Sequence, residues 1–192
     1  MLDGFGIVAA SCLPPELPFD PYVDKPRVQV GSNSQWGWAI EDFTSVGSVP
    51  KTLGRLSSGG SEVLSLTFTP TISTFMCAAG GSLVSGFDLV CPHIRFGPDP
   101  HRFDQQMAQA GFLRDIAPDP PSMGALFAQI AFGLTITQDM IEDVSCSAEL
   151  PLPPTLTRVR GPGHPGPQSG GPGPSDHRSV VIRRPRPGGT SL

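Results

Sequence analysis

The residues best suited to bind a metal form one cluster near the middle of the chain. Cys91-Pro92-His93 brings a thiol and an imidazole close together, and His101 follows eight residues after His93. Structural zinc takes four nitrogen or sulfur ligands, usually supplied as two close pairs. The remaining cysteines have no partner at ligand spacing: Cys12, Cys77 and Cys146. The sequence therefore predicts no metal site and no cofactor, and it favours reduced thiols over a disulfide framework.

A glycine-rich run from Gly54 to Ser61 resembles the phosphate-binding loop G-x-x-x-x-G-K-[ST]. Gly60 stands where that motif has the lysine that reaches the phosphates. The residues after Ser61 have the alternation of a strand, whereas the motif must open a helix whose N-terminus faces the phosphate. We therefore interpret residues 41–60 as a polar loop between strands and predict no nucleotide site.

Motifs of hydrolytic enzymes are missing from the sequence. Neither G-x-S-x-G nor H-E-x-x-H occurs. The acidic pairs Asp115/Asp119 and Glu142/Asp143 have no sequence feature that places them in a cleft. The sequence thus favours a non-catalytic protein, with an enzyme of unknown chemistry as a third alternative.

The end of the sequence offers two binding motifs. Arg183-Arg184-Pro185-Arg186 is a basic cluster that could contact phosphates or another polyanion. Thr190-Ser191-Leu192 has the [ST]-x-Φ pattern that PDZ domains capture as an added strand. We therefore assign polyanion binding to Arg183, Arg184 and Arg186, and binding of a protein partner to Thr190, Ser191 and Leu192.

A short run near the start, Leu13-Pro14-Pro15-Glu16-Leu17, resembles the L-P-x-x-L opening of an F-box. The resemblance covers five residues, because Pro18 follows where that family continues as a helix. Proline fixes φ and disfavours a helical residue before it. We interpret residues 13–26 as an extended, proline-rich arm.

The elements that must position these residues centre on Ser61–Cys91. Leu64, Leu66 and Phe68 alternate with smaller residues, a period of two that predicts a strand with one apolar face. Leu66→Asp is then expected to unfold the domain, and Thr67→Asp to be tolerated. Gly80-Gly81 separates two further apolar runs and suits a tight hairpin turn, since glycine adopts positive φ without steric cost. Together these features predict a three-stranded antiparallel unit.

Other strands and two helices surround this unit. Short strands are predicted at Arg27–Val30, Trp36–Ile40 and Val144–Leu150. One helix is expected to begin after Asp99 and to end at Gly111. The second should begin near Asp119 or Ser122 and end at Gly133. Its predicted buried face consists of Met123, Leu126, Phe127, Ile130 and Ala131.

Composition and charge divide the chain at Pro151. The segment 151–192 contains 10 Pro and 8 Gly, and its six arginines face one aspartate, a formal charge of +5. Residues 1–150 carry 7 basic and 16 acidic residues, a formal charge of −9. A segment with so little apolar surface cannot offset the entropy of ordering. We predict an α+β domain at residues 1–150, with a small antiparallel sheet and two packed helices, followed by a disordered basic tail at 151–192.

The preferred function is a non-catalytic interaction or accessory protein that engages partners through the tail. The alternative is a viral-type structural or nucleic-acid-associated protein, in which the β-rich domain assembles and the arginine-rich tail meets nucleic acid. No positively charged segment precedes the apolar run Phe5–Leu13, and no run reaches the ~20 apolar residues of a membrane helix. We expect a cytoplasmic protein, with the nucleus as a second location. The composition also leaves open a chain that folds poorly.

Overall fold

The computed structural model describes residues 12–13, 27–32, 35–42, 46–69, 72–112, 119–137, 146–149 and 178–184. These residues form one antiparallel sheet with α-helices on both faces. The predicted α+β class is therefore confirmed. Among the described residues, none of the α-helices has the length and hydrophobicity of a membrane span.

The sheet contains nine described strands, which follow a mixed order in space. Their bounds are β1 Cys12–Leu13, β2 Arg27–Ser32, β3 Gly37–Asp42, β4 Glu62–Phe68, β5 Ser73–Ala79, β6 Ser82–Asp88, β7 Arg95–Phe96, β8 Cys146–Glu149 and β9 Arg178–Arg184. The spatial order is β1-β8-β2-β3-β9-β4-β5-β6-β7. β9, the last described strand in the sequence, thus lies in the middle of the sheet.

Local signals correctly located the hairpins. β2 and β3 pair antiparallel where the short strands Arg27–Val30 and Trp36–Ile40 were predicted, and β8 lies within the predicted strand Val144–Leu150. β4, β5 and β6 form the predicted antiparallel unit. Between β5 and β6, Gly80 and Gly81 have φ of 59° and 87°. Residues with a Cβ rarely adopt these angles, so the turn depends on glycine.

Three α-helices are described, one more than the sequence predicted: α1 Pro50–Ser57, α2 Asp104–Ala110 and α3 Pro120–Phe132. α2 and α3 end as expected, at Gly111 and Gly133 in the left-handed conformation. The predicted start of α2 after Asp99 is wrong, because the helix begins at Asp104. Asp119 caps α3 by accepting a hydrogen bond from the Ser122 backbone amide. The predicted buried face of α3 is partly wrong, because Leu126 is exposed while Ala128 and Phe132 are buried.

α1 corrects the prediction of a loop at residues 41–60. Pro50 occupies the first turn, where its missing N–H costs no helical hydrogen bond. Leu53 and Leu56 are buried against Val63 and Ala78 of the sheet. A turn of 3-10 helix, Val46–Ser48, precedes α1, and a second one, Ser58–Gly60, follows it.

β4 is buried on both faces, which corrects the prediction of one solvent-facing side. Leu64 and Leu66 pack into the core beneath α2 and α3. On the opposite face, Val63 packs against α1, and Thr67 is only 5% exposed. The sheet therefore separates two cores, and a charge is not expected to be tolerated at Thr67.

The larger core is rich in phenylalanine. Phe75 of β5 contacts the rings of Phe87, Phe103, Phe127 and Phe132, with centroids 4.8–6.0 Å apart. Most of these contacts are tilted or edge-to-face, the arrangement that aromatic rings prefer. This cluster fixes α2 and α3 against one face of the sheet.

β9 corrects part of the prediction for the tail. Residues 178–184 do not form a disordered appendage, because they pair with β3 on one side and with β4 on the other. Three apolar residues in a row, Val180-Val181-Ile182, supply the strand's buried surface. The rest of 151–192 lies outside the described residues, as does the arm predicted at 13–26 apart from Leu13 in β1, so those two predictions remain untested.

A candidate strand-docking site at the centre of the sheet

The space between β3 and β4, which we call the strand slot, is filled by β9. The pairing is antiparallel on both sides and extends from Gly37↔Arg183 to Asp42↔Arg178 on β3. On β4 it extends from Glu62↔Arg184 to Phe68↔Arg178. Backbone pairing on both edges makes β9 the only described link between β3 and β4 in the sheet. The strand slot thus binds an extended segment mainly through backbone hydrogen bonds.

Apolar side chains of β9 enter both cores from the strand slot. Val181 is 0% exposed and packs with Ala39 and Val63 on the α1 side. Ile182 is 1% exposed and joins Trp38 and Leu64 on the α3 side. Burial of each such side chain contributes about 1.5–3 kcal/mol before entropy is subtracted. The centre of the slot therefore selects apolar residues on both faces.

A group of three buried hydroxyls lies at the first end of the strand slot. This hydroxyl cluster consists of Ser48, Thr67 and Ser179. The Thr67 Oγ1 atom lies 2.7 Å from Ser48 Oγ and 3.2 Å from Ser179 Oγ, and the two serine oxygens are 3.5 Å apart. Ser179 has no exposed surface. The cluster joins β4, β9 and the turn before α1 at one point.

Glu41 of β3 lies directly opposite Ser179 in the pairing and is also 0% exposed. The Gly47 amide donates a hydrogen bond of 2.6 Å to Glu41 Oε1, while Oε2 has no hydrogen-bond partner among the described residues. Burial raises the pKa of Glu41 from 4.5 to about 7, and hydrogen bonds from the backbone of Gly47 and Val46 oppose this shift. A carboxyl group that titrates near neutral pH therefore borders the strand slot.

Arg184 anchors the opposite end of β9. Its Nη2 atom donates a 2.6 Å hydrogen bond to the carbonyl oxygen of Phe132, at the C-terminus of α3. Its guanidinium carbon lies 4.5 Å from the centre of the Trp36 ring. The helix dipole and the face of an aromatic ring both favour a cation at this position. The planar guanidinium group of Arg184 therefore contacts both the end of α3 and Trp36, which precedes β3.

The structure does not bring the predicted polyanion-binding residues into one patch. Arg183 Nε donates to Ser61 Oγ at 3.1 Å, and Arg183 lies on the opposite face of β9 from Arg184. Both guanidinium groups are engaged by the domain itself. Arg186 and the predicted partner-binding residues Thr190, Ser191 and Leu192 lie outside the described residues. Polyanion and PDZ binding therefore remain predictions.

A second polar group lies around the predicted Cys91-Pro92-His93 cluster. Arg95 Nε donates to the carbonyl of Pro92 at 3.1 Å, and its Nη1 contacts Asp104 Oδ1. His101 Nδ1 lies 3.1 Å from both Arg95 Nη1 and Asp104 Oδ2. These contacts tie the turn before β7 to the start of α2. Within the described ranges, no group of three or more His, Cys, Asp or Glu side chains is arranged to hold a metal ion.

The thiol of Cys77 is not placed for nucleophilic chemistry. Cys77 is fully buried, and burial, together with the nearby Glu62 carboxylate, raises the pKa of its thiol to about 12. A thiol with that pKa stays protonated at neutral pH and is a poor nucleophile. Cys91 is a free, half-buried cysteine.

The run that resembles a phosphate-binding loop has a packing role. Gly54 lies inside α1, where a Cβ would come within 2.6 Å of the carbonyl oxygen of Gly81 in the β5–β6 turn. Ser57 Oγ accepts a hydrogen bond of 3.2 Å from the Gly81 amide. Gly54 is therefore required for close contact between α1 and the hairpin. The first residues of the motif, 54–57, lie in helix α1 and do not form a phosphate-binding loop.

The architecture defines an α+β domain whose central strand comes from the far end of the chain. Residues 27–147, more than half of the 192 residues, match the sequence profile of a family of unknown function, DUF6461. The chain belongs to this family. No curated protein and no solved structure matches the sequence significantly. The matched region begins with β2 and ends within β8, so it contains β3 and β4 but not β9.

The residues around the strand slot were not found from the sequence. Glu41, Ser48 and Thr67 lie in polar or mixed stretches that resemble ordinary surface segments. Ser179 lies in a segment assigned to the disordered tail. The one available signal was the apolar run Val180-Val181-Ile182, whose β-branched residues favour a strand.

Proposed function

We propose that this chain is a non-catalytic interaction protein, in which the region shared with the family receives an extended polypeptide segment as an added strand. The observation that carries the proposal is the position of β9, which lies outside the family match yet pairs on both sides at the centre of the sheet. Addition of a strand to a sheet edge is a common mode of peptide recognition. Here the strand slot offers two such edges, β3 and β4.

The occupant in this chain is its own segment 178–184. Residues 150–177 separate β8 from β9 in the sequence, so β9 is not joined to a neighbouring strand by a tight turn. This arrangement is the one expected when a domain binds a segment attached through a linker, because the linker raises the effective concentration of the segment. A partner segment with a similar pattern would compete with β9 for the same slot.

The test uses the full chain with its own strand weakened. Val181→Asp places a carboxylate in the core between α1 and the sheet, where Val181 has no exposed surface. The cost of burying that charge should release β9 from the strand slot. A fluorescein-labelled peptide with the sequence of residues 177–185 should bind this variant saturably. The same peptide should bind the wild-type chain at least about ten-fold more weakly, because the tethered strand competes. Ile72→Asp, at a position 54% exposed, is the matched control and should behave like the wild type.

A milder variant keeps the proposal testable if Val181→Asp does not fold. Val181→Ala leaves a weakened strand in place, and saturating peptide should raise its Tm, since a ligand that binds the folded state stabilises it. A peptide that itself carries the Val181→Asp change should have no effect. If neither variant binds the peptide, or if the altered peptide binds equally well, β9 is a fixed structural strand and the proposal fails.

A further inference from the structure

Two side chains of β9, Ser179 and Arg184, each meet more than one specific group of the strand slot, whereas Arg183 makes a single side-chain hydrogen bond, to Ser61. Ser179 is enclosed by Ser48 and Thr67 and lies opposite Glu41. Arg184 meets Trp36 and the carbonyl of Phe132. Backbone pairing alone would accept any extended sequence, so these side-chain contacts are where selectivity can arise.

We propose that the strand slot selects extended segments with a hydroxyl residue at the position of Ser179, β-branched apolar residues at the next three positions, and an arginine at the position of Arg184. The inference rests on the proposed function and names the class of partner that it would bind. That partner is a protein segment with the pattern [ST]-Φ-Φ-Φ-x-R, where Φ is valine or isoleucine. The chain's own β9 is one example.

The first position requires a small hydroxyl residue because the space is closed and polar. Ser179 is 0% exposed, and its oxygen lies within hydrogen-bonding distance of Thr67 Oγ1. An apolar residue there would remove a partner from buried hydroxyls, which carries a cost. An acidic residue would bring a second carboxyl group into the buried site beside Glu41.

The last position requires arginine because two different contacts converge on it. The donor to Phe132 O and the face packed on Trp36 belong to one planar guanidinium group. Lysine could keep the hydrogen bond but has no flat face for the ring, and leucine would lose both contacts. Arg183 is half-buried, and its Nε atom donates one hydrogen bond to Ser61 Oγ on the other face. Several polar side chains could donate a single hydrogen bond to a neutral hydroxyl, so the pattern leaves this position open.

The contacts of Ser179 and Arg184 also fix the register in which the segment pairs with β3 and β4. Ser179 and Arg184 lie on opposite faces of β9, and alternation in a strand means that a slip by one residue exchanges the faces. Such a slip would place Arg178 or Val180 in the hydroxyl cluster and would move the arginine away from Trp36. A segment in which the hydroxyl and the arginine are separated by one residue more or less should therefore not satisfy both contacts.

The experiment measures a series of labelled peptides against the full-length Val181→Asp chain by fluorescence polarisation. The parent sequence of residues 177–185 should bind, as should its Ser179→Thr form. Ser179→Val, Arg184→Leu and a peptide with one glycine inserted between the two positions should each bind about ten-fold more weakly or worse. Arg184→Lys should fall between the parent and Arg184→Leu. Equal binding of all peptides would overturn the selectivity while leaving strand docking intact. If no peptide binds the Val181→Asp chain and none raises the Tm of the Val181→Ala chain, both proposals fail.

A measurement in the intact chain supports the same conclusion without a separate peptide. Ser179→Val and Arg184→Leu should lower the denaturation midpoint of the full chain, and Arg184→Lys should lower it less. Lys51→Leu, on the exposed face of α1, is the matched control and should leave the midpoint unchanged. If Arg184→Leu and Ser179→Val are both neutral, the two contacts do not hold the segment and the inference fails.

Discussion

The side chain of Glu41 has no exposed surface, and the elements packed around it offer it little compensation. Its direct neighbours in the sheet are Val28 of β2 and Ser179 of β9, and the backbone amides of Val46 and Gly47 donate to its carboxylate. None of these groups carries a charge. Lys51 and Arg55 are exposed on α1, and Arg183 bonds to Ser61. Within the described ranges, the ionised form is thus held by backbone amides alone.

Stability is expected to depend on pH through Glu41. Its pKa in the folded protein, about 7, lies above its ordinary value of 4.5, so the folded state holds the proton more tightly than the unfolded state does. Protonation of Glu41 therefore stabilises the folded state. This contribution is fully present below about pH 4.5 and is lost as the pH rises through 7. The total effect is on the order of 3 kcal/mol. Urea denaturation at pH 5 and pH 8 should show a higher unfolding free energy at pH 5.

Glu41→Gln provides the control, because glutamine keeps an oxygen for the Gly47 amide and cannot ionise. In this variant, the difference in unfolding free energy between pH 5 and pH 8 should be much smaller than in the wild type. Parallel pH profiles for the wild type and Glu41→Gln would show that another group controls the dependence.

Leu66 and Thr67 test the burial of β4 on both faces. Leu66 is 2% exposed beneath α3, and Thr67 is 5% exposed within the hydroxyl cluster. An unpaired carboxylate is costly in either place, so Leu66→Asp and Thr67→Asp should both unfold the domain. Far-UV circular dichroism and thermal melts would measure this, with the exposed Ile72→Asp as the control. A stable Thr67→Asp variant would mean that this face of β4 is open to water.

At the scale of elements, α1 covers the sheet face opposite α2 and α3. Its contact with the β5–β6 hairpin depends on Gly54, whose backbone meets Gly81 directly. This close approach explains a glycine in the middle of a helix, where it normally costs about 1 kcal/mol relative to alanine.

Gly54→Ala is therefore expected to destabilise the protein despite the better helix propensity of alanine. The new Cβ would lie 2.6 Å from the Gly81 carbonyl oxygen, so α1 or the hairpin must shift. Overpacking of this kind costs about 1–3 kcal/mol. Chemical denaturation should show a lower unfolding free energy for Gly54→Ala and no loss for Lys51→Ala on the exposed face. A stabilised Gly54→Ala variant would contradict the close contact.

The elements that were predicted correctly are specified by residues that are close together in the sequence. Gly80-Gly81 specifies its own turn, and Asp119 with Gly133 marks both ends of α3. α1 lacked such signals, because Pro50 to Ser57 contains a central glycine and only two large apolar residues, Leu53 and Leu56. Its stability comes from packing on Val63 and Ala78, which are distant in sequence. Local patterns could not reveal that contact.

At the scale of the whole molecule, the sequence predicted the fold class but not the position of its last strand. The Pro- and Gly-rich composition of 151–192 concealed the one apolar run, Val180-Val181-Ile182. That run becomes a strand only because β3 and β4 provide an edge on each side. Strand formation depends strongly on such context. The candidate site was missed for the same reason. Glu41, Thr67 and Ser179 lie side by side in the sheet only when β9 pairs with both β3 and β4.

Amide hydrogen exchange can show whether residues 178–184 lie between β3 and β4. Full-length protein would be exchanged in deuterated buffer at pH 6 and digested with pepsin, and the fragments covering β9, β4 and β5 would be followed over time. Amides of Ser179 to Arg183 donate within the sheet, so their protection should be comparable to that of β4. Ser179→Val should reduce the protection of β9 before that of β5. If β9 of the wild-type chain exchanges at the rate of a free peptide while β4 stays protected, β9 is not paired in the sheet and the proposed strand slot does not exist.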